Sequence, residues 1–121
     1  MSFISNSQII GTIFSWLRAQ KNIDQITFAK KMKLTQASLS RIENGKAIMN
    51  IEQVLFASNI LEIESSYVLI LFTKLKELLE NQGFVIVNSR DTINGRNISF
   101  EPITIVRGVL TQHVLSIMNK I

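Results

Sequence analysis

The sequence has no cysteine and only one histidine and one proline among its 121 residues. Without cysteine there is no disulfide, no thiol nucleophile and no thiolate metal site. One histidine and scattered carboxylates form no recognisable catalytic triad or metal cluster. Gly83, Gly95 and Gly108 are too far apart for a phosphate-binding loop. We therefore expect no enzymatic activity, no metal and no cofactor.

Long hydrophobic runs are also missing. The longest, Tyr67 to Phe72, has six residues, whereas a helix needs about 18 to cross a bilayer. The opening Met-Ser-Phe-Ile-Ser-Asn-Ser has no basic segment and no cleavage-like site, so a secretory signal is not expected. These absences are consistent with a cytoplasmic protein that does not bind a membrane.

Hydrophobic residues make up 46% of the chain, which is enough for a packed core in one domain or a small domain with an extension. The net charge of +4 is unevenly distributed. Residues 1–50 carry seven Lys/Arg against two Asp/Glu, and residues 51–121 carry six against seven. A basic first half is expected if that half meets a polyanion, although a solvated basic face would have the same composition.

Apolar residues recur at helical spacing through most of the chain. The pattern predicts a mainly α fold with helices at about 7–21, 25–32, 36–44, 51–61 and 65–81, and a last helix after Pro102. Expected N-caps are Asp24, Thr35 and Asn50, and expected helix terminators are Gly45 and Gly83. The second helix is expected to bury Ile26, and the fourth to bury Ile51 and Leu55.

The period changes after Gly83. Phe84 to Val87 is a short β-branched run, and Asn94-Gly95 is a strong hairpin-turn dipeptide. Residues 97–100 are the expected returning strand of a small β-hairpin. The last helix then places its apolar residues on one face: Ile103, Val106, Leu110, Val114, Ile117 and Ile121.

Residues 25–46 are the most informative stretch, because they predict two short amphipathic helices joined by a tight turn. The small Ala29 allows a close helix crossing, and larger apolar residues fill the space around it. Leu39 and Ile42 point inward. The outward positions of the third helix are therefore Gln36, Ala37, Ser40 and Arg41.

This stretch resembles the Cro/repressor-type (Xre-like) helix-turn-helix family of bacterial and phage regulators. The resemblance covers about residues 9–63 and implies a lambda-repressor-like helical DNA-binding domain. Lys33 stands where the family often has glycine, so we expect a slightly reshaped turn. The residues that carry the resemblance are Arg18, Gln25, Phe28, Ala29, Met32, Leu34, Thr35, Gln36, Leu39, Ile42, Glu43, Asn44, Gly45 and Lys46.

The resemblance implies a role for each polar position of the motif. Glutamine can pair with adenine and arginine with guanine in the major groove. The expected base-contacting residues are Gln36, Ala37, Ser40 and Arg41. The expected phosphate-contacting residues are Gln25, Ser38, Asn44 and Lys46. A partly buried structural salt bridge is expected between Arg18 and Glu43.

A regulator of this size normally binds double-stranded DNA as a homodimer, because two recognition helices must lie about 34–36 Å apart on one face of the duplex. We therefore divide the chain into a DNA-binding domain, residues 1–64, and a C-terminal dimerisation region, residues 65–121. The alternative is that the apolar stripes of the second region pack only within the chain.

The leading interpretation is a sequence-specific transcriptional regulator that acts as a repressor. One alternative is an antitoxin-type protein, in which the C-terminal region neutralises a partner protein and the motif serves autoregulation. Another is a sensor with a ligand between the C-terminal helices, although no polar cluster in an apolar pocket favours it.

Overall fold

The computed structural model describes residues 1–118, and Ile121 of the predicted apolar face lies outside them. Within that span the predicted mainly α fold, with a long helix, a small hairpin and a last helix, is confirmed. The elements are β1 Ser2–Ser5, α1 Asn6–Gln20, α2 Gln25–Lys31, α3 Gln36–Glu43, α4 Ile51–Ile60, α5 Ser65–Asn81, β2 Phe84–Val87, β3 Thr92–Ile93, β4 Arg96–Asn97 and α6 Ile103–Met118.

The first four helices end in the same backbone geometry. In each, the second residue after the helix has a positive φ: Asn22, Lys33, Gly45 and Glu62. The following amide donates to the carbonyl five positions earlier, as in a Schellman motif: Ile23 to Arg18, Leu34 to Ala29, Lys46 to Arg41 and Ile63 to Ser58. These motifs end each helix sharply and turn the chain toward the next one.

The predicted N-caps are confirmed. The side chains of Asp24, Thr35 and Asn50 accept hydrogen bonds from backbone amides in the first turns of α2, α3 and α4. The expected reshaping at Lys33 is wrong, since its φ of +59° gives the same left-handed end as Gly45. That conformation costs a non-glycine residue on the order of 1 kcal/mol, which the surrounding packing offsets.

Helix α1 is central to the core, because it packs against α3, α5, α6 and β1. Ile9, Ile13 and Phe14 of α1 have no exposed surface. Buried residues of α5 and α6 belong to the same cluster: Val68, Leu71, Leu75, Leu79, Val106, Val109, Leu110 and Ile117. The apolar stripes of α5 and α6 therefore pack within the chain.

Three expected core residues are at the surface instead. Ile26 is 51% exposed, Ile51 64% and Leu55 48%. Helix α4 carries apolar residues around most of its circumference, so periodicity did not identify the face that packs on the core. Val54 and Ala57 occupy that face.

The strand pairing differs from the predicted hairpin. Strand β2 pairs in parallel with the N-terminal strand β1, with Ser2 opposite Phe84. The hairpin at Asn94-Gly95 is present, but its arms are only the two-residue strands β3 and β4. The predicted pairing of residues 84–87 with residues 97–100 is wrong, because the partner of β2 lies about eighty positions away and leaves no local signal.

Within residues 1–118, no single helix is both long and apolar enough to cross a membrane. Helices α4 and α5 meet the length and composition requirement only as a pair, and they are bent by 112° relative to each other.

Candidate nucleic-acid interface

The crossing of α2 and α3 is fixed by buried side chains at its centre. Phe28 and Leu39 have no exposed surface, and Ala29, Met32 and Ile42 are each at most 4% exposed. Because these residues hold the inner side of α3, its outer side faces away from the protein. Of the predicted base-contacting residues, Gln36, Ala37 and Arg41 are exposed and Ser40 is half-buried.

The expected ion pair between Arg18 and Glu43 is present and nearly buried. Arg18 Nε donates to Glu43 Oε2 at 2.7 Å, and Arg18 Nη2 donates to Oε1 at 2.9 Å. The Glu43 side chain is 3% exposed and that of Arg18 is 16% exposed. The hydrogen bond with Glu43 raises the pKa of Arg18 above its ordinary value. A third bond, from Arg18 Nη1 to the Ile23 carbonyl at 2.8 Å, joins α1, α3 and the turn before α2.

A second set of hydrogen bonds continues from this ion pair to the start of α3. Gln25 Nε2 donates to Glu43 Oε1 at 3.0 Å, and Gln36 Nε2 donates to Gln25 Oε1 at 3.3 Å. Gln25 therefore lies between Glu43 and Gln36 and orients the Gln36 side chain. The amide oxygen of Gln36 and one of its N–H groups remain available, which is the pair of groups that recognises adenine.

The start of α2, where a phosphate is expected, is already occupied by a carboxylate. Asp24 Oδ1 accepts from Thr27 N at 2.7 Å. That backbone hydrogen bond lowers the pKa of Asp24 below its ordinary value, so the carboxylate stays ionised. A phosphate at this helix end would meet a negative charge. Of the Gln25 side chain, only one amide N–H remains for it, since Nε2 donates to Glu43 and Oε1 accepts from Gln36.

The start of α3 has no such carboxylate. Its N-cap, Thr35, accepts from Ser38 N at 3.0 Å and donates its own hydroxyl proton to Ser38 Oγ at 2.9 Å. The hydroxyl proton of Ser38 is then free to be donated outward. Ser38 is exposed, so it is suitably placed for a phosphate oxygen.

The end of α3 is held by a compact set of polar contacts. Asn44 Nδ2 donates to the Ser40 carbonyl at 2.8 Å, and Arg41 Nη2 donates to the Lys46 carbonyl at 3.2 Å. Arg107 of α6 donates from Nη2 to Asn44 Oδ1 at 2.8 Å. Arg107 is not among the residues predicted from the sequence, because its partner lies 63 positions earlier.

Two glycines allow α1 to approach this region closely. A Cβ on Gly11 would overlap the Ile42 carbonyl, and one on Gly45 would lie 2.6 Å from Gln8 Cγ. Gly45 also has a φ of +73°. The end of α3 therefore packs directly on α1.

The side chains of three lysines around the turn between α2 and α3 take no part in the hydrogen bonds described above. Lys30 and Lys31 are exposed, and Lys33 Nζ lies 6.0 Å from the centroid of the Phe56 ring. No group of three or more His, Asp or Glu side chains in residues 1–118 is arranged to hold a metal ion.

Comparison with known proteins agrees with this geometry. A family model described as "Helix-turn-helix" matches residues 15–68. Among solved structures, the chain is similar to the crystal structure of the clp gene regulator ClgR from Corynebacterium glutamicum, with a TM-score of 0.61 and 21% sequence identity over 64% of this chain and 82% of that one. At this identity the similarity concerns the fold. No curated protein sequence gives a significant match.

Residues 15–68 thus belong to the Cro/repressor-type (Xre-like) helix-turn-helix family. The chain carries a DNA-binding domain of the transcription-regulator type.

Proposed function

We propose that this protein is a cytoplasmic, sequence-specific transcriptional repressor, not an enzyme, that binds a two-fold operator as a homodimer. Helix α3 enters the major groove. The observation that supports this most directly is the chain of hydrogen bonds from Glu43 through Gln25 to Gln36. It holds an exposed base-reading group in one orientation before DNA arrives, which reduces the ordering cost of binding.

The outer residues of α3 then have separate roles. Gln36 pairs with an adenine and Arg41 with a guanine, each contributing about 1–3 kcal/mol of base discrimination. Ala37 is placed to touch a thymine methyl group. Ser40 has the smallest share, because it is half-buried and its hydroxyl accepts from Asn44 Nδ2 at 3.3 Å.

The phosphate contacts lie around this surface. Ser38 and Gln25 serve the start of the motif, and Lys46 serves its end. The predicted contact from Asn44 is less favoured, because its Nδ2 already donates to Ser40 and its Oδ1 accepts from Arg107. Such contacts fix the register of the protein on the duplex and carry no sequence information themselves.

Two substitutions separate these roles on a site selected from random DNA with the purified protein. Arg41→Ala should weaken binding to the selected site by about tenfold or more, with little change on a random-sequence duplex. Lys46→Ala should weaken binding to both duplexes alike and lower the salt slope by about 0.9 per protomer. Equal losses from Arg41→Ala on every sequence would show that Arg41 does not recognise a base.

For the dimer, we propose a surface on α4 and the start of α5. Leu55 is 48% exposed and Leu69 55%. Leu55 lines one depression with Ser65, and Leu69 lies one turn after Ser65 on the same side of α5. Leu55 and Leu69 are thus exposed apolar side chains on two packed helices. Such residues favour a protein contact, and a second copy of this chain supplies the two-fold symmetry that the operator requires.

The division at residue 64 therefore remains a proposal about function, since residues on both sides of it share one core. The test uses the full chain. Leu69→Asp should convert a dimer to a monomer in sedimentation velocity, whereas Leu115→Asp should not, although Leu115 on α6 is 76% exposed. A dimer that survives Leu69→Asp would refute this surface.

The antitoxin alternative requires a partner surface in the C-terminal region. There, Leu115 and Met118 are both exposed and lie three positions apart on α6, whereas Ile93 stands singly on the hairpin. Single exposed apolar residues are ordinary on soluble proteins. A partner protein of the antitoxin type would contact this pair on α6.

A further inference from the structure

We propose that Arg107 of α6 is a phosphate-contacting residue, so that the C-terminal region contributes directly to DNA binding. The inference rests on the proposed DNA-binding function. Its basis is the hydrogen bond from Arg107 Nη2 to Asn44 Oδ1, 2.8 Å long, which places a guanidinium at the end of the recognition helix.

The partner of this bond is itself held in place. Asn44 Nδ2 donates to the Ser40 carbonyl at 2.8 Å, so the amide oxygen that receives Arg107 has a fixed direction. Lys46 lies two residues further along, and Arg41 Nη2 bonds its carbonyl at 3.2 Å. The guanidinium of Arg107 therefore lies at the same helix end as Lys46, the residue already proposed to contact a phosphate there.

The start of α6 is fixed independently of Arg107. Glu101 N donates to the Phe3 carbonyl at 2.9 Å, and Gln8 Nε2 donates to the Glu101 carbonyl at 2.6 Å. Ile103 lines one depression with Asn44, Gly45 and Lys46. Arg107 follows Ile103 by one helical turn and lies on the same side of α6, so its approach to Asn44 is set by the fold.

The charge of Arg107 is not neutralised in the part of the chain that is described. The ion pairs within residues 1–118 are Arg18–Glu43 and Lys74–Glu77, and Arg107 bonds a neutral amide. A guanidinium has five N–H donors, so a single bond to Asn44 leaves a donor fork that matches the geometry of a phosphate. A residue whose only role was to position Asn44 would not need a positive charge.

The test compares the full-length wild type with Arg107→Ala, Arg107→Gln and Lys74→Ala. Each variant removes one positive charge, and Arg107→Gln retains an amide that can bond Asn44. Lys74 is the control for the loss of one net positive charge, because it lines a depression with Ser116 and Ile117 near the other end of α6, although its ammonium lies 3.9 Å from Glu77. Ile117 lies ten positions after Arg107, about 15 Å along the helix.

Binding is measured against salt concentration on the selected operator and on a random-sequence duplex of the same length. Both Arg107 variants should lose about three- to tenfold in affinity on both duplexes, with a salt slope lower by about 0.9 per protomer. Lys74→Ala should leave the slope unchanged. In ethylation interference, one phosphate whose modification blocks binding of the wild type should no longer affect binding of Arg107→Ala, and the same phosphate should no longer affect binding of Arg107→Gln.

Three outcomes would overturn the proposal while leaving DNA binding intact. They are an unchanged slope with Arg107→Ala, full affinity with Arg107→Gln, and an equal loss with Lys74→Ala. The first two would show that Arg107 only positions Asn44. The third would show that losing any positive charge weakens DNA binding through long-range electrostatic attraction. If the wild type binds neither duplex, the proposed function itself fails, and this inference fails with it.

Discussion

The two halves of this chain, α1 to α4 and the segment from α5 to α6, use apolar residues differently. In α1 to α4, each helix begins at a polar side chain that accepts a hydrogen bond from a backbone amide of the first turn, and α3 directs a polar face outward. In α5 and α6, the apolar faces cover α1. The comparison shows that the polar chemistry lies mainly in the first half, while the second half completes the core.

The two halves are nevertheless not independent. Strand β1 at the N-terminus pairs with β2, and α1 contacts both α5 and α6. The proposed contribution of Arg107 also crosses this division. Removing the second half should therefore expose the core of the first, which is why the full chain is the right material for every test.

The largest expected effect on stability comes from breaking the ion pair between Arg18 of α1 and Glu43 of α3. Glu43→Ala leaves the nearly buried Arg18 without its carboxylate partner and frees Gln25. Because an unpaired buried charge is costly, we expect a loss of about 3 kcal/mol in the free energy of unfolding, measured by urea denaturation.

The matched control is the double variant Arg18→Met with Glu43→Met, which removes both charges. It should recover much of the lost stability, because replacing a buried pair by apolar groups is often close to neutral. If the double variant is less stable than Glu43→Ala, the ion pair is not the reason for the loss.

A pair of glycine substitutions sharpens the contrast between α1 and α6. A Cβ on Gly11 would overlap a backbone carbonyl of α3 that cannot move aside, whereas a Cβ on Gly108 meets nothing within 4 Å. Gly11→Ala should destabilise the protein by about 2 kcal/mol. Gly108→Ala should stabilise it by about 0.5–1 kcal/mol, because alanine favours the helix.

Thermal denaturation of the two alanine variants beside the wild type measures both effects. The contrast would be lost if both variants moved the melting temperature in the same direction, since the two glycines would then have equivalent surroundings.

The smallest effect concerns the turn between α2 and α3. Lys33→Gly removes the strain of a left-handed non-glycine residue, which costs on the order of 1 kcal/mol. It also removes the contact of the lysine cation with Phe56, which stabilises an exposed site by about 0.5 kcal/mol. Because the relieved strain outweighs the lost cation contact, we expect a net stabilisation of a few tenths of a kcal/mol. Lys33→Ala should destabilise instead, because it retains the strain and loses the cation, and chemical denaturation of both variants tests the sign.

The amino-acid sequence by itself determined the features whose causes lie within a few residues. These are the helices, their caps, the glycine at the end of α3, the Asn94-Gly95 turn and the polar outer face of α3. Each depends on side-chain period or on a hydrogen bond to a neighbouring amide. The ion pair between Arg18 and Glu43 was expected only through the family resemblance.

Tertiary structure alone decided the contacts between distant segments. It paired β1 with β2, seated Gly11 against α3, placed Arg107 on Asn44 and left Ile51 and Leu55 at the surface. Periodicity shows that a helix has an apolar side, but it does not say which neighbour covers that side or how much remains exposed. Those outcomes depend on how the whole chain packs, because a buried face is defined by the partner that excludes water from it.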